Sequence, residues 1–149
     1  MNREIKFKVK IKLNEKGREF YEEESLFVES RIHEVKAIHF ESPTNICIAD
    51  ESGDSVITIF KDYCDVFELM QFTGLKDKNG VDIYEGDILR VNESRYDSRV
   101  KNKIYEIREV CFRDGRFSIM HSVQDIYESD RIEVIGNIYS NPELLNNKS

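Results

Sequence analysis

Tryptophan is absent from the 149-residue chain, proline occurs twice, at Pro43 and Pro142, and cysteine three times, at Cys47, Cys64 and Cys111. Three cysteines so far apart match no metal-ligand spacing and cannot all pair. This is the usage of a reducing compartment, and they are expected to be small buried or half-buried side chains. No stretch approaches 18 consecutive apolar residues, and the opening MNREIKFK lacks the apolar core of a secretory signal. A soluble protein without membrane contact is therefore expected. The three histidines, His33, His39 and His121, form no HExxH, and GxSxG does not occur. No catalytic, metal or cofactor residue is assigned, and a trio such as Glu85, Asp87 and His121 is what chance supplies in a chain with 29 acids.

The stretch GLKDKNG, Gly74 to Gly80, is the one loop that invites a phosphate or cation reading. A Walker loop needs four residues between its glycines, then Lys and Ser/Thr; here five intervene, and Val81 and Asp82 follow. Counted as a calcium loop from Asp77, Asn79 fills the third position, but Val81 stands fifth and no glycine stands sixth. Turn chemistry remains: Asn79-Gly80 favours left-handed backbone, and Gly86 precedes Asp87–Val91, in which Ile88 or Leu89 and Val91 resume a strand. The loop is expected to join two β elements.

Charge is abundant and unevenly laid out. The formal net charge is −7, yet residues 1–18 carry seven Lys/Arg against two acids, and residues 19–69 thirteen acids against three bases. Such a balance weakens unspecific affinity for nucleic acid without excluding a local basic face. Ile5, Phe7, Val9, Ile11 and Leu13 alternate with Lys6, Lys8, Lys10 and Lys12, the period of a half-buried strand. NEKG, Asn14 to Gly17, reads as a turn after it. Between Phe20 and Phe40 the pattern stays open: Glu22, Glu23 and Glu24 suit the first turn of a helix, whereas HEVKAIHF equally suits a strand. NICIAD and SVITIF flank DESGDS as a hairpin; DVFELMQF reads as a strand buried on both faces.

Beyond the loop, KIYEIREVCF and RFSIM are joined by Asp114-Gly115, a hairpin signal, and RIEVIGNIY follows. About four strands over residues 83–139 predict a small SH3-like barrel or strongly bent sheet. The fold class expected is mainly β, or α+β with one or two short helices. Arg90 to Arg108 interleaves six bases, among them Arg95, Arg99, Lys101 and Lys103, with Tyr96 and Tyr105. That composition suits single-stranded nucleic acid, although a solvated loop shares it.

Three stretches, REIKFK (Arg3 to Lys8), ELMQFTGLKDKNGVDIYEGDIL (Glu68 to Leu89) and IEVIGNIYSNPELL (Ile132 to Leu145), bracket almost the whole chain. In them it resembles the YopX protein family, small proteins encoded by bacteriophages and prophages, mainly of Gram-positive bacteria. The resemblance implies a β-rich fold with an SH3-like barrel portion and brings no catalytic residues. Gly74, Gly80 and Gly86 match its signature glycines, Asp77 and Asp87 its acidic turn positions, and Gly136, Asn137 and Pro142 its C-terminal signature. Val9 stands where the family carries an aromatic, and Asn14–Asp65 shows little of the signature.

The expected organisation is a variable β-rich portion over 1–73, a barrel portion packed on it over 74–140, and a tail over 141–149. The function that resemblance and composition imply is that of a non-enzymatic phage binding protein in the cytoplasm of a bacterial host. It would engage or inhibit a host protein, anti-defence included, through Glu22, Glu23 and Glu24 or the basic groups. The alternative is a nucleic-acid-binding module using Lys6, Lys8, Lys10 and Lys12 or Arg95, Arg99, Lys101 and Lys103; a small enzyme comes last. A homo-oligomer through the apolar hairpin Ile46 to Phe60 is also expected, against the competing account that Glu22 to Phe40 covers that hairpin in the monomer.

Overall fold

The computed structural model describes residues 5–24, 26, 28, 31–39, 45–49, 56–92, 105–119 and 131–146. Among these the chain is mainly β with one helix, and it divides into two units, Lys6–Met70 and Gln71–Ser149 with Met1–Ile5. In the first unit β1 (Phe7–Leu13), β2 (Ile32–His39), β3 (Asn45–Ala49), β4 (Val56–Phe60) and the start of β5 (Cys64–Lys76) run in the order β4-β3-β2-β1-β5. The alternation of β1 buries Val9, Ile11 and Leu13 and sends its lysines to the opposite face. Antiparallel register sets Ile46 opposite Ile59 and Ile48 opposite Ile57, and all four are buried with Val9, Ile11, Leu13 and Tyr21.

That core is closed by α1 (Glu15–Glu23), and the way the helix begins corrects the turn expected over Asn14–Gly17. Asn14 is the N-cap, its Oδ1 accepting from the Gly17 amide at 2.8 Å. Its own backbone amide donates to Tyr63 C=O at 3.0 Å and its Nδ2 to Asp62 C=O at 3.0 Å. The helix start is thus tied to the 3-10 turn Lys61–Tyr63, where an added Cβ on Gly17 would lie 2.2 Å from the Tyr63 carbonyl oxygen. Glycine stands in the first turn because backbone passes there. Tyr21, one turn later on the same face, packs edge-on to Phe20 and Tyr63.

Ile46, Ile48, Ile57 and Ile59, one face of the hairpin through which a homo-oligomer was expected, are buried inside this unit. The helix that covers the hairpin starts at Glu15, upstream of the ambiguous stretch, while Ile32–His39 within that stretch is strand.

In the second unit the end of β5 pairs with β6 (Asp82–Tyr84), with a register shift between Phe72 and Lys76 in which Gly74 takes φ 89°. Gly74 therefore lies inside a strand at a bulge, not in a turn. A four-stranded antiparallel sheet is ordered β10-β7-β8-β9, from β7 (Asp87–Asn92), β8 (Tyr105–Arg113), β9 (Arg116–Ile119) and β10 (Ile132–Asn137). Its core joins Leu89, Val91, Val110 and Ile132 with Ile83.

The barrel expectation is wrong: neither sheet is closed or strongly curled. Among the described residues β9 pairs with β8 alone and β10 with β7 alone, so the two outer strands never form the ladder that closure requires. Strand count limits the choice of architecture but does not decide closure, and β6, which lies inside the expected barrel portion 74–140, pairs with β5.

Gly17→Ala is expected to destabilise the protein by about 1–3 kcal/mol through forced separation of helix and turn, although alanine is the better helix former. Asn14→Ala should cost about 1 kcal/mol. Urea melts measure both, and a G17A protein at least as stable as the parent would contradict the close approach.

Candidate functional site

The turn after β5 was the strongest sequence candidate for ligand chemistry, and its carboxylate turns out to be occupied by the chain itself. Asp77 is buried. Its Oδ1 accepts the amides of Asn79 (2.8 Å) and Val81 (2.9 Å), and its Oδ2 that of Val134 on β10 (3.0 Å). The backbone completes the turn: the Asp77 amide donates to Val81 C=O, and the Gly80 amide to Asp77 C=O with Gly80 at φ 81°. Burial pulls the Asp77 pKa upward, but the amides of Val134, Val81 and Asn79 outweigh it and the nearby Glu133, and the carboxyl ends below its ordinary value. Lys76 pairs with Asp82 across the turn. A carboxylate that accepts three backbone amides pins β10 to the loop and is committed chiefly to the fold.

The other signature residues are used in the same manner. Asp87 is buried, with Oδ2 accepting the Tyr84 amide at 2.7 Å. Gly86, at φ 81°, donates its amide to Val110 C=O and accepts from the Ile138 amide, joining β6–β7 to β8 and the C-terminal turn. Asn137 Oδ1 accepts the amides of Tyr139 (3.0 Å) and Ser140 (2.9 Å). Gly136 lies within β10, where a Cβ would meet Asn141 Oδ1 at 2.6 Å, and Pro142 opens the 3-10 turn Pro142–Asn146. Asp114 and Gly115, both at positive φ, form the β8–β9 turn.

Three charged surfaces carry the remaining described candidates. On β1, Lys8 and Lys10 are half-buried and Lys12 exposed, and Lys8 lies opposite Glu34 of β2, so the ladder meets a neighbouring acid. On α1, Glu15, Glu19, Glu22 and Glu23 fall at i, i+4, i+7 and i+8 and are all exposed, with Glu24 following. On the second sheet, Arg90 donates to Glu133 at 2.5 Å and lies 5.5 Å over the Tyr105 ring, while Lys78 meets the same Glu133 at 2.7 Å. Hydrogen bonds from Lys78 and Arg90 outweigh desolvation and hold the Glu133 pKa below its ordinary value. Such exposed pairs contribute little to stability. The basic stretch with Arg95, Arg99, Lys101 and Lys103, and His121, lie outside the described residues.

The cysteines are free thiols, all half-buried. Burial, then the charge of Asp65, pushes the Cys64 thiol up to about 11, which opposes thiolate chemistry there. Cys47 Sγ lies 3.9 Å from His39 Nε2 and 3.8 Å from Thr58 Oγ1 on the face of the sheet opposite the isoleucines. Among the described residues no group of three or more His, Cys, Asp and Glu could hold a metal ion, and no helix is long and apolar enough to cross a membrane.

Residue reading missed Asn14, Gly17 and Tyr21, which organise the first unit. Asn14 before Glu15 is a usable cap signal, but Gly17 so close behind it imitates a turn; Tyr21 is marked only by its four-residue spacing from Gly17.

Among the described residues, two open sheets, one helix and signature polar residues spent on turns define a small β-rich protein. A family model described as YopX protein matches residues 14–146, and the chain belongs to the YopX family, which makes it a small phage- or prophage-associated protein. The crystal structure of protein EF1440 from Enterococcus faecalis is similar at 26% identity and a TM-score of 0.54, over 97% of this chain and 99% of that one. No curated protein matches the chain.

Because the folded pKa of Asp77 is depressed, its contribution to stability is present above the ordinary carboxylate range and lost as pH falls through the folded value. Asp77→Asn, which keeps one acceptor oxygen and puts a donor against an amide, is expected to lose on the order of 3 kcal/mol at pH 7. The gap to the parent should narrow in acid below about pH 4. Urea titrations from pH 7 to pH 3 check this, and a pH-independent gap would remove the ionised carboxylate from the account.

Proposed function

We propose that the chain is a non-enzymatic binding protein that serves a phage or prophage in the cytoplasm of its bacterial host, engaging a basic surface of a host protein through the outer face of α1. The observation that supports this is the glutamate stripe. Glu15–Glu19 and Glu19–Glu23 are like-charge pairs at i, i+4, and Glu19–Glu22 at i, i+3; each such pair opposes helix formation by about 0.2–0.5 kcal/mol. Glu22 and Glu23 also sit in the last turn, which holds no base and where the helix dipole disfavours anions. The two bases between Glu15 and Glu19 are directed elsewhere, the Arg18 guanidinium reaching back to Leu13 C=O at 2.8 Å and Lys16 Nζ lying 5.1 Å over the Tyr63 ring. Exposed carboxylates placed against the helix's own electrostatics serve recognition better than stability, and a rigid acidic row complements a basic protein surface. Inhibition of a host defence protein is the narrower form of this reading.

Nucleic-acid binding through Lys8, Lys10 and Lys12 is the second reading. It is favoured by their shared face and opposed by Glu34 in the same ladder.

Tagged parent and a Glu19→Lys, Glu22→Lys, Glu23→Lys variant are compared in affinity capture from host lysate, with binding of labelled single- and double-stranded DNA and RNA in parallel. The expected result is a reproducible basic partner lost with the charge reversal at least tenfold, while the variant melts no lower than the parent because repulsion along the helix is relieved. Equal capture by both proteins, or no partner with tags at either end, contradicts the reading. Nucleic-acid binding that weakens linearly in log salt, and strengthens in the variant, would favour the second.

A further inference from the structure

Strand β4 ends its sheet among the described residues, pairing with β3 on one side only, and has no charge, proline or bulge of its own to protect that edge. Its sequence, VITIF, is entirely β-branched or aromatic, without charge, glycine or proline. Its register with β3 runs through five successive pairs, Asn45–Phe60 to Ala49–Val56, without a bulge. Val56, at 60% exposure, adds an apolar side chain on the face away from the core. Uncharged, regular strands of this kind add further strands of their own sequence.

One side chain lies on that edge. The Tyr21 hydroxyl donates to Thr58 C=O at 3.0 Å and accepts the Phe60 amide at 3.2 Å. Residues two apart on a strand direct their backbone groups to the same side. Thr58 C=O and Phe60 N–H, taken by a side chain that arrives from α1, are therefore an acceptor and a donor that an adjoining strand would use. The ring behind the hydroxyl is held by Phe20 and Tyr63 and is 2% exposed, so the hydroxyl arrives on a fixed support.

We propose that the Tyr21 hydroxyl stands in for a neighbouring strand on the open edge of β4 and thereby prevents a second copy of the chain from pairing there. The occupant excluded is a second β4, because the edge presents a short uncharged strand whose two-fold antiparallel pairing with itself meets no like charges. This inference does not depend on the outer, glutamate-bearing face of α1.

Tyr21→Phe keeps the ring and removes both bonds. In the parent, amide exchange followed by NMR is expected to show Phe60 protected although it faces outward. In Y21F its protection should fall by roughly tenfold or more at low concentration, with Ile57 and Ile59 little changed. At high micromolar concentration Y21F should associate to twice the 17.6 kDa chain mass or more. Adding Val56→Lys, a charge on the edge strand, should return it to one chain. A folded Y21F that keeps the mass of one chain at every concentration overturns the proposal. So does a parent whose Phe60 amide exchanges as fast as an unbonded one, a reading that decides the matter even if Y21F fails to fold.

Discussion

The approach of α1 to the turn Lys61–Tyr63 is the constraint on which the first unit depends. Gly17 allows it, because any Cβ would collide with the Tyr63 carbonyl. Asn14 fastens it with a cap to Gly17 and two bonds to the turn, and Tyr21 uses it to reach β4. Without that approach the nine-residue helix would have little reason to form. So short a helix is marginal by itself, and its outward face is lined with mutually repelling carboxylates. Tertiary packing supplies the stability and leaves the outer face free to carry charge that a solitary helix would not tolerate.

Burial also sets the ionisation of the phenol on which this arrangement turns. Desolvation raises the Tyr21 pKa from 10.0 to about 12; the Phe60 amide lowers it, and Cys64 and Tyr63 raise it further. The stability tied to the neutral phenol is present below pH 10 and lost as pH rises through the folded value, an alkaline counterpart to the acid sensitivity of Asp77. The two groups lie in different units, so the acid and alkaline limits report on separate cores. Asp77 closes its own turn on the Asn79 and Val81 amides and reaches β10 through the Val134 amide, as Tyr21 joins the helix to an edge; in both places one polar side chain satisfies a strand's backbone.

What was legible in the sequence followed from local periodicity. The alternation read over Ile5 to Leu13 holds over Phe7–Leu13, where one face meets a core, while Ile5 is exposed; Asp114-Gly115 turns because positive φ is needed at both residues. The turn residues Asp77, Asn79, Gly80 and Gly86 could be read by elimination of the phosphate and calcium motifs. Facts that depend on distant partners stayed hidden. Gly17 looks like a turn former until Tyr63 is beside it. Gly74 belongs to a bulge that only the β6 register defines. Lys8 looks like part of an open basic row until Glu34 is opposite. The barrel expectation failed for the same reason, since whether β9 meets β10 is a non-local property. Of the candidate contacts, Glu22, Glu23 and Glu24 were read as the first turn of a helix, whereas they end α1, because the Asn14 cap that starts it looks like part of a turn.

We propose a division of labour: Gly17 and Tyr21 on the inner face of α1 hold the sheet and the family's signature turns hold the second unit, which leaves the outer face of α1 for a partner. Hydrogen-exchange mass spectrometry of the chain alone and in its purified host complex tests it most directly. The account predicts added protection confined to peptides spanning Asn14–Glu24, with the turn from Asp77 to Tyr84 unchanged. Protection centred on Asp77–Tyr84 or Asn137–Pro142, with α1 unaffected, would contradict it.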